Sequence, residues 1–289
     1  MKKIIVSSIG FLLVLLVYSC RNNSGQEAKS IIGDSTRIVS INGTTTEILV
    51  GLGLGNHIVG VDVSSTYPKS MLEKPKVGHN RNMSAEGILA LNPDWVVGTS
   101  NDVNPELKEQ LAQSGVKVLL FDQEYSIAGT KGLITALSDS LGLKQKGDSI
   151  LNVLDQDLAA LDSLPKTEPK PKVLFIYARG AGTMMVGGED TQPAKIIELA
   201  GGENAVKGFT DFKPLTSEAL VAANPDVILL FSSGLESLGG TKGLLDVQGV
   251  KETNAGKNQK FVEMDGQLLT GFGPRLGQAI KELAEKIQQ

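Results

Sequence analysis

The chain has 289 residues, enough for one large or two modest domains. Its formal net charge of −4 and pI near 5.4 give no reason to expect nucleic-acid binding. Aromatic residues make up 4% of the chain, which argues against a binder built on stacked rings, and the single cysteine, Cys20, excludes an internal disulfide.

In chain order, Lys2 and Lys3 precede an apolar run from Ile4 to Val17. That run is short for a membrane span and has the charge order of a secretory signal. It ends in Val17-Tyr18-Ser19-Cys20, which resembles a bacterial lipobox. Residues 1–19 are therefore expected to be a lipoprotein signal peptide, with Cys20 the lipidated residue. The polar stretch 20–35 reads as a flexible tether.

The first α/β lobe is placed at 36–130. It opens with a strand at Arg37-Ile-Val-Ser-Ile, then a helix from Thr44 to Leu52 with Gly53 as its stop. Ile58–Val61 reads as a second strand. Asp62 to Asn82 contains turn residues and no period, so it reads as a long loop, and such loops are often functional. A helix near Pro105–Ser114 and a strand at Val116–Phe121 follow.

A unit of sequence then recurs. Residues 84–97 read SAEGILALNPDWVV and residues 216–229 read TSEALVAANPDVIL. Glu86 matches Glu218, Asn92 matches Asn224, and Asp94 matches Asp226, all offset by 132 (218 minus 86). Each copy has an apolar helical stripe, a proline that stops the helix, and a short apolar run suited to a buried strand. The expectation is two similar, Rossmann-like α/β lobes.

Between the copies, Gly132 to Leu164 has helical spacing, as one long helix or two joined near Gly142. With the Pro/Lys spacer Pro165–Pro171 it forms the expected linking segment, 131–170. The second lobe, 171–289, opens with a strand at Lys172–Tyr177. A glycine-rich loop (Arg179–Gly188) and a helix (Thr191–Ala200) follow. The lobe closes with a strand at Lys260–Met264 and an amphipathic helix at Pro274–Gln289.

The order of elements and several motifs together resemble the class III periplasmic binding proteins of ABC importers, which take up heme, corrinoids and ferric siderophores. The likeness is carried by Thr46-Glu47-Ile48, Val77-Gly78-His79-Asn80-Arg81, Glu86-Gly87-Ile88-Leu89, Leu199-Ala200-Gly201-Gly202 and Gly271-Phe272-Gly273-Pro274-Arg275. It is strongest toward the heme-binding branch. The resemblance implies two α/β lobes joined by one long helix, with little hinge closure. It also implies that Glu86 and Glu218, one on top of each lobe, dock onto arginines of the permease.

A heme iron takes an imidazole, phenolate or sulfur ligand. His79, in the long loop of the first lobe, is the expected iron ligand. Many heme-binding relatives carry a tyrosine at the matching position. Tyr67 is the rival from the same lobe, and Tyr177, Met184 and Met185 are candidate second ligands from the other. Arg81, Arg179 and Arg275 are expected to hold the two propionates, because guanidinium forks suit carboxylates.

The expected partners are an ABC permease and ATPase complex, heme, and the membrane through the lipid anchor. The binding protein itself is expected to be a monomer that contacts no nucleic acid. Two other readings stand beside this one. A corrinoid or ferric-siderophore binder would share the fold. An α/β enzyme with a two-lobe cleft would need a catalytic pair, but the sequence has no GxSxG elbow and no histidine cluster.

Overall fold

The computed structural model describes residues 31–79, 82–163 and 167–288. The signal segment, Cys20, most of the tether, and Arg81 lie outside the described residues. Among those described, no helix is long and apolar enough to cross a membrane.

The strands of the described residues form two sheets. The first holds β1 (Ile38–Ser40), β2 (Ile58–Val61), β3 (Trp95–Thr99) and β4 (Lys117–Phe121), in the order β2-β1-β3-β4. All three of its ladders are parallel. Parallel strands need crossovers, and helices α1 (Gly43–Gly51), α2 (Ala85–Leu89) and α3 (Pro105–Gln113) lie on them. The strands are almost continuous apolar runs because both faces are covered.

Two helices follow, α4 (Ile127–Ser140) and α5 (Lys144–Ala160). The helical stretch is thus two helices, as the alternative with a joint near Gly142 expected, and the longer, α5, is the one that leads into the second lobe. The break falls at Gly142, whose φ of 67° is left-handed, so the chain turns where a side chain would strain it.

The second sheet holds β5 (Lys172–Ala178), β6 (Met184–Gly187), β7 (Glu203–Asn204), β8 (Phe212–Pro214), β9 (Val227–Phe231) and β10 (Phe261–Met264). Its order is β10-β9-β5-β6-β8, with β7 also paired to β5. The ladders β10–β9 and β9–β5 are parallel, whereas β5–β6 and β6–β8 are antiparallel. The glycine-rich stretch after β5 is therefore a hairpin in part, not all loop. The helices here are α6 (Gln192–Leu199), α7 (Ser217–Ala223), α8 (Ser232–Ser237), α9 (Gly240–Leu245), α10 (Asn254–Lys257), α11 (Gly266–Thr270) and α12 (Leu276–Ile287).

The repeated unit folds the same way twice. Ser84 caps α2 by accepting from Gly87 N–H, and Thr216 caps α7 by accepting from Ala219 N–H. Asn92 and Asn224 both adopt left-handed backbone, with φ of 45° and 39°. Asp94 Oδ2 accepts from Arg37 N–H at 2.7 Å, and Asp226 Oδ2 accepts from Lys172 N–H at 3.0 Å. In each lobe the aspartate of Asn-Pro-Asp thus ties the new strand to the start of its central neighbour.

The lobes share one apolar cluster. It runs from Ile38 and Ile48 through Ile134 and Leu137 of α4 and Leu154 of α5 to Phe175, Leu276 and Ile280. Helix α12 lies directly on α5, and a Cβ on Gly277 would come within 2.5 Å of the Asp157 side chain. The tether also ends earlier than expected: Ile32 packs against this cluster and Ile31 N–H points to Leu141 O at 3.4 Å.

Candidate functional site

Parallel strands aim their carboxyl ends one way, and ligands of open α/β sheets bind beyond those ends. In both lobes those ends face a common cleft of about 520 Å³. Asn42 and Thr44 reach it after β1, Asp62 after β2, Asp102 after β3, and Gln123 and Tyr125 after β4. From the second lobe come Phe231 and Ser232 at the end of β9, and Asp265 and Gln267 after β10.

His79 lines this cleft and is exposed to it. Its loop is held firmly. Val77 N–H donates to Val61 O and Val63 N–H to Gly78 O, each at 3.0 Å, and Asn82 N–H donates to His79 O at 2.7 Å. Gly78 sits at a φ of 110°, which only glycine adopts without strain. The chain's other histidine, His57, lies apart with Nδ1 against Thr36 O.

Tyr67 is not in the cleft. Its ring lies under the Arg275 guanidinium at 3.6 Å, and its N–H donates to Gln267 Oε1. Arg275 does not line the cleft either. It forms a fork with the buried Glu47, Nε to Oε1 at 3.0 Å and Nη2 to Oε2 at 2.8 Å. The side chains of that pair are only 16% and 8% exposed. The glycines and proline around Arg275 thus hold a lobe-to-lobe fastener, and the guanidinium expected to meet a propionate is here engaged with Glu47.

The fastener is extensive. Gln267 Oε1 accepts from Thr66 N–H (2.7 Å) and Tyr67 N–H (2.8 Å), while its amide donates to Gly43 O. Gln123 donates to Gly271 O and Thr130 to Phe272 O. Phe272 itself is buried at a φ of 48°, and Tyr125 packs on its ring.

The candidate second ligands fall elsewhere. Tyr177 is half-buried, edge-on to Phe231 and Phe212, with the exposed Arg179 over its ring at 5.4 Å. Met185 pairs with Tyr177 across the hairpin, and Met184 lines a separate cavity with Leu215 and Leu238. None of these three candidates lines the cleft, and neither does Arg179.

The aromatic donor that does is Tyr125, which sequence reasoning missed. Burial pushes its phenol up, a hydrogen bond with Gln192 partly offsets this, and Asp102 pushes it further up. The signal that could have found it is positional. Tyr125 follows a parallel strand, and every such strand end in this lobe reaches the cleft.

Glu86 and Glu218 are exposed in the first turns of α2 and α7. The Glu218 carboxyl is held below the usual range by its own backbone N–H, and next by Thr216. Among the described residues, no group of three or more His, Cys, Asp or Glu is arranged to hold a bare metal ion.

Two lobes, a shared core and a cleft at the carboxyl ends of both sheets define a two-lobed binding protein. The chain belongs to the Periplasmic binding protein family, whose model matches residues 38–268. It is similar to the periplasmic heme-binding protein RhuT from Roseiflexus sp. RS-1 in apo form, with 39% identity and a TM-score of 0.84, covering 88% of this chain and 98% of that one. It is 29% identical over 270 residues to the uncharacterized ABC transporter substrate-binding lipoprotein YvrC of Bacillus subtilis, covering 92% of this chain and 84% of YvrC. A vitamin B12-binding protein of Vibrio campbellii is 26% identical over 199 residues, 68% of this chain and 70% of that protein. The family and these neighbours are substrate-binding transport proteins.

Proposed function

We propose that the protein is an exported, lipid-anchored substrate-binding protein that captures heme in the interlobe cleft and delivers it to an ABC importer. The observation that carries this reading is His79, an imidazole held on a fixed loop at the cleft of a chain 39% identical to a heme-binding protein. Tyr125 is the alternative donor from the same wall. Titration with hemin tests the reading: a saturable Soret shift at one heme per chain supports it. No shift would remove it.

A corrinoid is the second reading, and the lining favours it at one point. Amide and hydroxyl side chains such as Asn101, Gln123, Gln192 and Ser233 dominate the cleft walls. These suit a macrocycle with amide side chains. Binding of cyanocobalamin without any response to hemin would decide for it.

Docking is assigned to Glu86 and Glu218, whose matching caps and exposure put one carboxylate at the same place on each lobe. Glu86→Ala combined with Glu218→Ala should abolish uptake and leave hemin affinity unchanged, because neither residue lines the cleft. Normal uptake by the double variant would end this assignment. Cys20 is the proposed anchor, and the protein acts as a monomer on this reading. Cys20→Ser should move the protein from the membrane fraction to the soluble one. Unchanged fractionation would refute lipidation there.

A further inference from the structure

Asp62 is a buried carboxylate at the end of β2, in the same cleft wall as His79. A charge so placed is costly unless its lone pairs are filled. Here they are filled locally. One oxygen accepts from Ser64 N–H at 2.8 Å and from the Ser64 hydroxyl, and the other accepts from the Ser65 hydroxyl. Ser65 is itself buried and shares a hydrogen bond of 2.7 Å with the buried Thr46 hydroxyl of α1. Thr46 in turn donates to the Ser40 hydroxyl at the end of β1. The carboxylate therefore organises the first turn of the long loop and joins it to α1 and β1.

That turn lies against the other end of the same loop. Val77 N–H donates to Val61 O and Val63 N–H donates to Gly78 O, each at 3.0 Å. Asp62 thus stands between the two backbone bonds that fix Val77 and Gly78, and His79 follows directly. Asp62 N–H donates to Ser40 O at 3.0 Å, which seats the same point on β1. Lys76 adds a side-chain tie, its ammonium donating to Ser65 O at 3.3 Å and Met71 O at 2.8 Å. The other flank of His79 is held separately, by Asn82 N–H on His79 O. A displaced 62–65 turn would carry Val63 N–H and the Gly78 carbonyl with it, and the imidazole would swing with the backbone that bears it.

We propose that Asp62 is a positioning residue for the His79 imidazole, and that its three accepted hydrogen bonds set the turn against which the His79 segment is braced. It acts through the backbone and needs no contact with the ligand. The inference rests on the His79 ligation reading above and deepens it.

The test uses the full protein with Asp62→Ala, Asp62→Asn and His79→Ala, alone and combined. The first readout needs no ligand. The chain has two histidines, so the His79 ring signals in a proton NMR spectrum are those missing from His79→Ala. Asp62→Ala should shift and broaden them and leave those of His57 in place. The second readout is hemin titration. Asp62→Ala should weaken hemin about tenfold and alter its Soret band. It should cost nothing further when His79 is already alanine. Asp62→Asn keeps an acceptor for Ser64 and a polar partner for Ser65, so it should recover most of the affinity. His79 signals that stay put in Asp62→Ala overturn the proposal. So does an equal loss of hemin with and without His79, which would make Asp62 a ligand contact or a general support of the fold. An Asp62→Asn protein as weak as Asp62→Ala also overturns it. If hemin does not bind the unsubstituted protein but the His79 signals respond to Asp62→Ala, the heme reading falls and the positioning stands. Should Asp62→Ala fail to fold, Ser65→Ala removes only the hydroxyl between Asp62 and Thr46, and the same signals, titration and outcomes decide.

Discussion

Arg275→Ala is expected to lower the melting temperature by roughly 10 °C and to leave the shape of the hemin spectrum unaltered. Arg275 neutralises Glu47 in a fork that solvent hardly reaches. Truncating it strands a carboxylate among Gly43, Gln267 and the core of α1. Removing one partner of such a pair costs about 3–5 kcal/mol, well above the value of an exposed bridge. It also removes the guanidinium from the Tyr67 ring and loosens the chain around Phe272. The double variant Glu47→Gln with Arg275→Met should recover much of the loss, because no buried charge then lacks a partner. Thermal denaturation of the three proteins decides it. An Arg275→Ala protein of normal stability that bound hemin poorly would return Arg275 to the cargo.

The second large effect is at His79. His79→Ala should weaken hemin by about a hundredfold, or about 2.7 kcal/mol, and change the Soret band. The imidazole is the strongest neutral donor at the cleft, and its loop is braced by three backbone hydrogen bonds, so ligation needs little reordering. Stability should hardly move, because the side chain is exposed. Tyr67→Phe serves as the control and should change neither spectrum nor affinity, since its ring faces Arg275. Should His79→Ala keep the native spectrum while Tyr125→Phe loses it, the iron ligand is the phenol.

Much of the architecture was legible in the chain. The Asn-Pro-Asp copies placed one helix, one tight turn and one inward strand in each lobe, and Asp94 and Asp226 hold them alike. The β5–β6 hairpin was hidden because Met184–Gly187 is short and set among glycines, so no period can show. Glu47 and Arg275 illustrate a different limit. They lie 228 residues apart, and nothing local to either announces the other. The cleft wall was the least legible part. Its residues are single polar positions just past strand ends, so topology, not motif, brings them together.

Gln267 bears on how cargo leaves. It lines the cleft and also clasps Gly43, Thr66 and Tyr67 of the opposite lobe. Cleft wall and fastener are the same short segment, backed by an apolar cluster common to both lobes. The opening therefore behaves as a frame and not as a jaw. On the reading proposed above, cargo would enter a mouth whose span the fastener holds, and occupancy would change the distance between Glu86 and Glu218 little. On the docking reading proposed above, a transporter holding those two carboxylates would meet the same separation whether the cleft is loaded or empty. On that same reading, discharge would be mechanical work by the transporter, which would part the lobes at Gln267 and the Glu47–Arg275 fork.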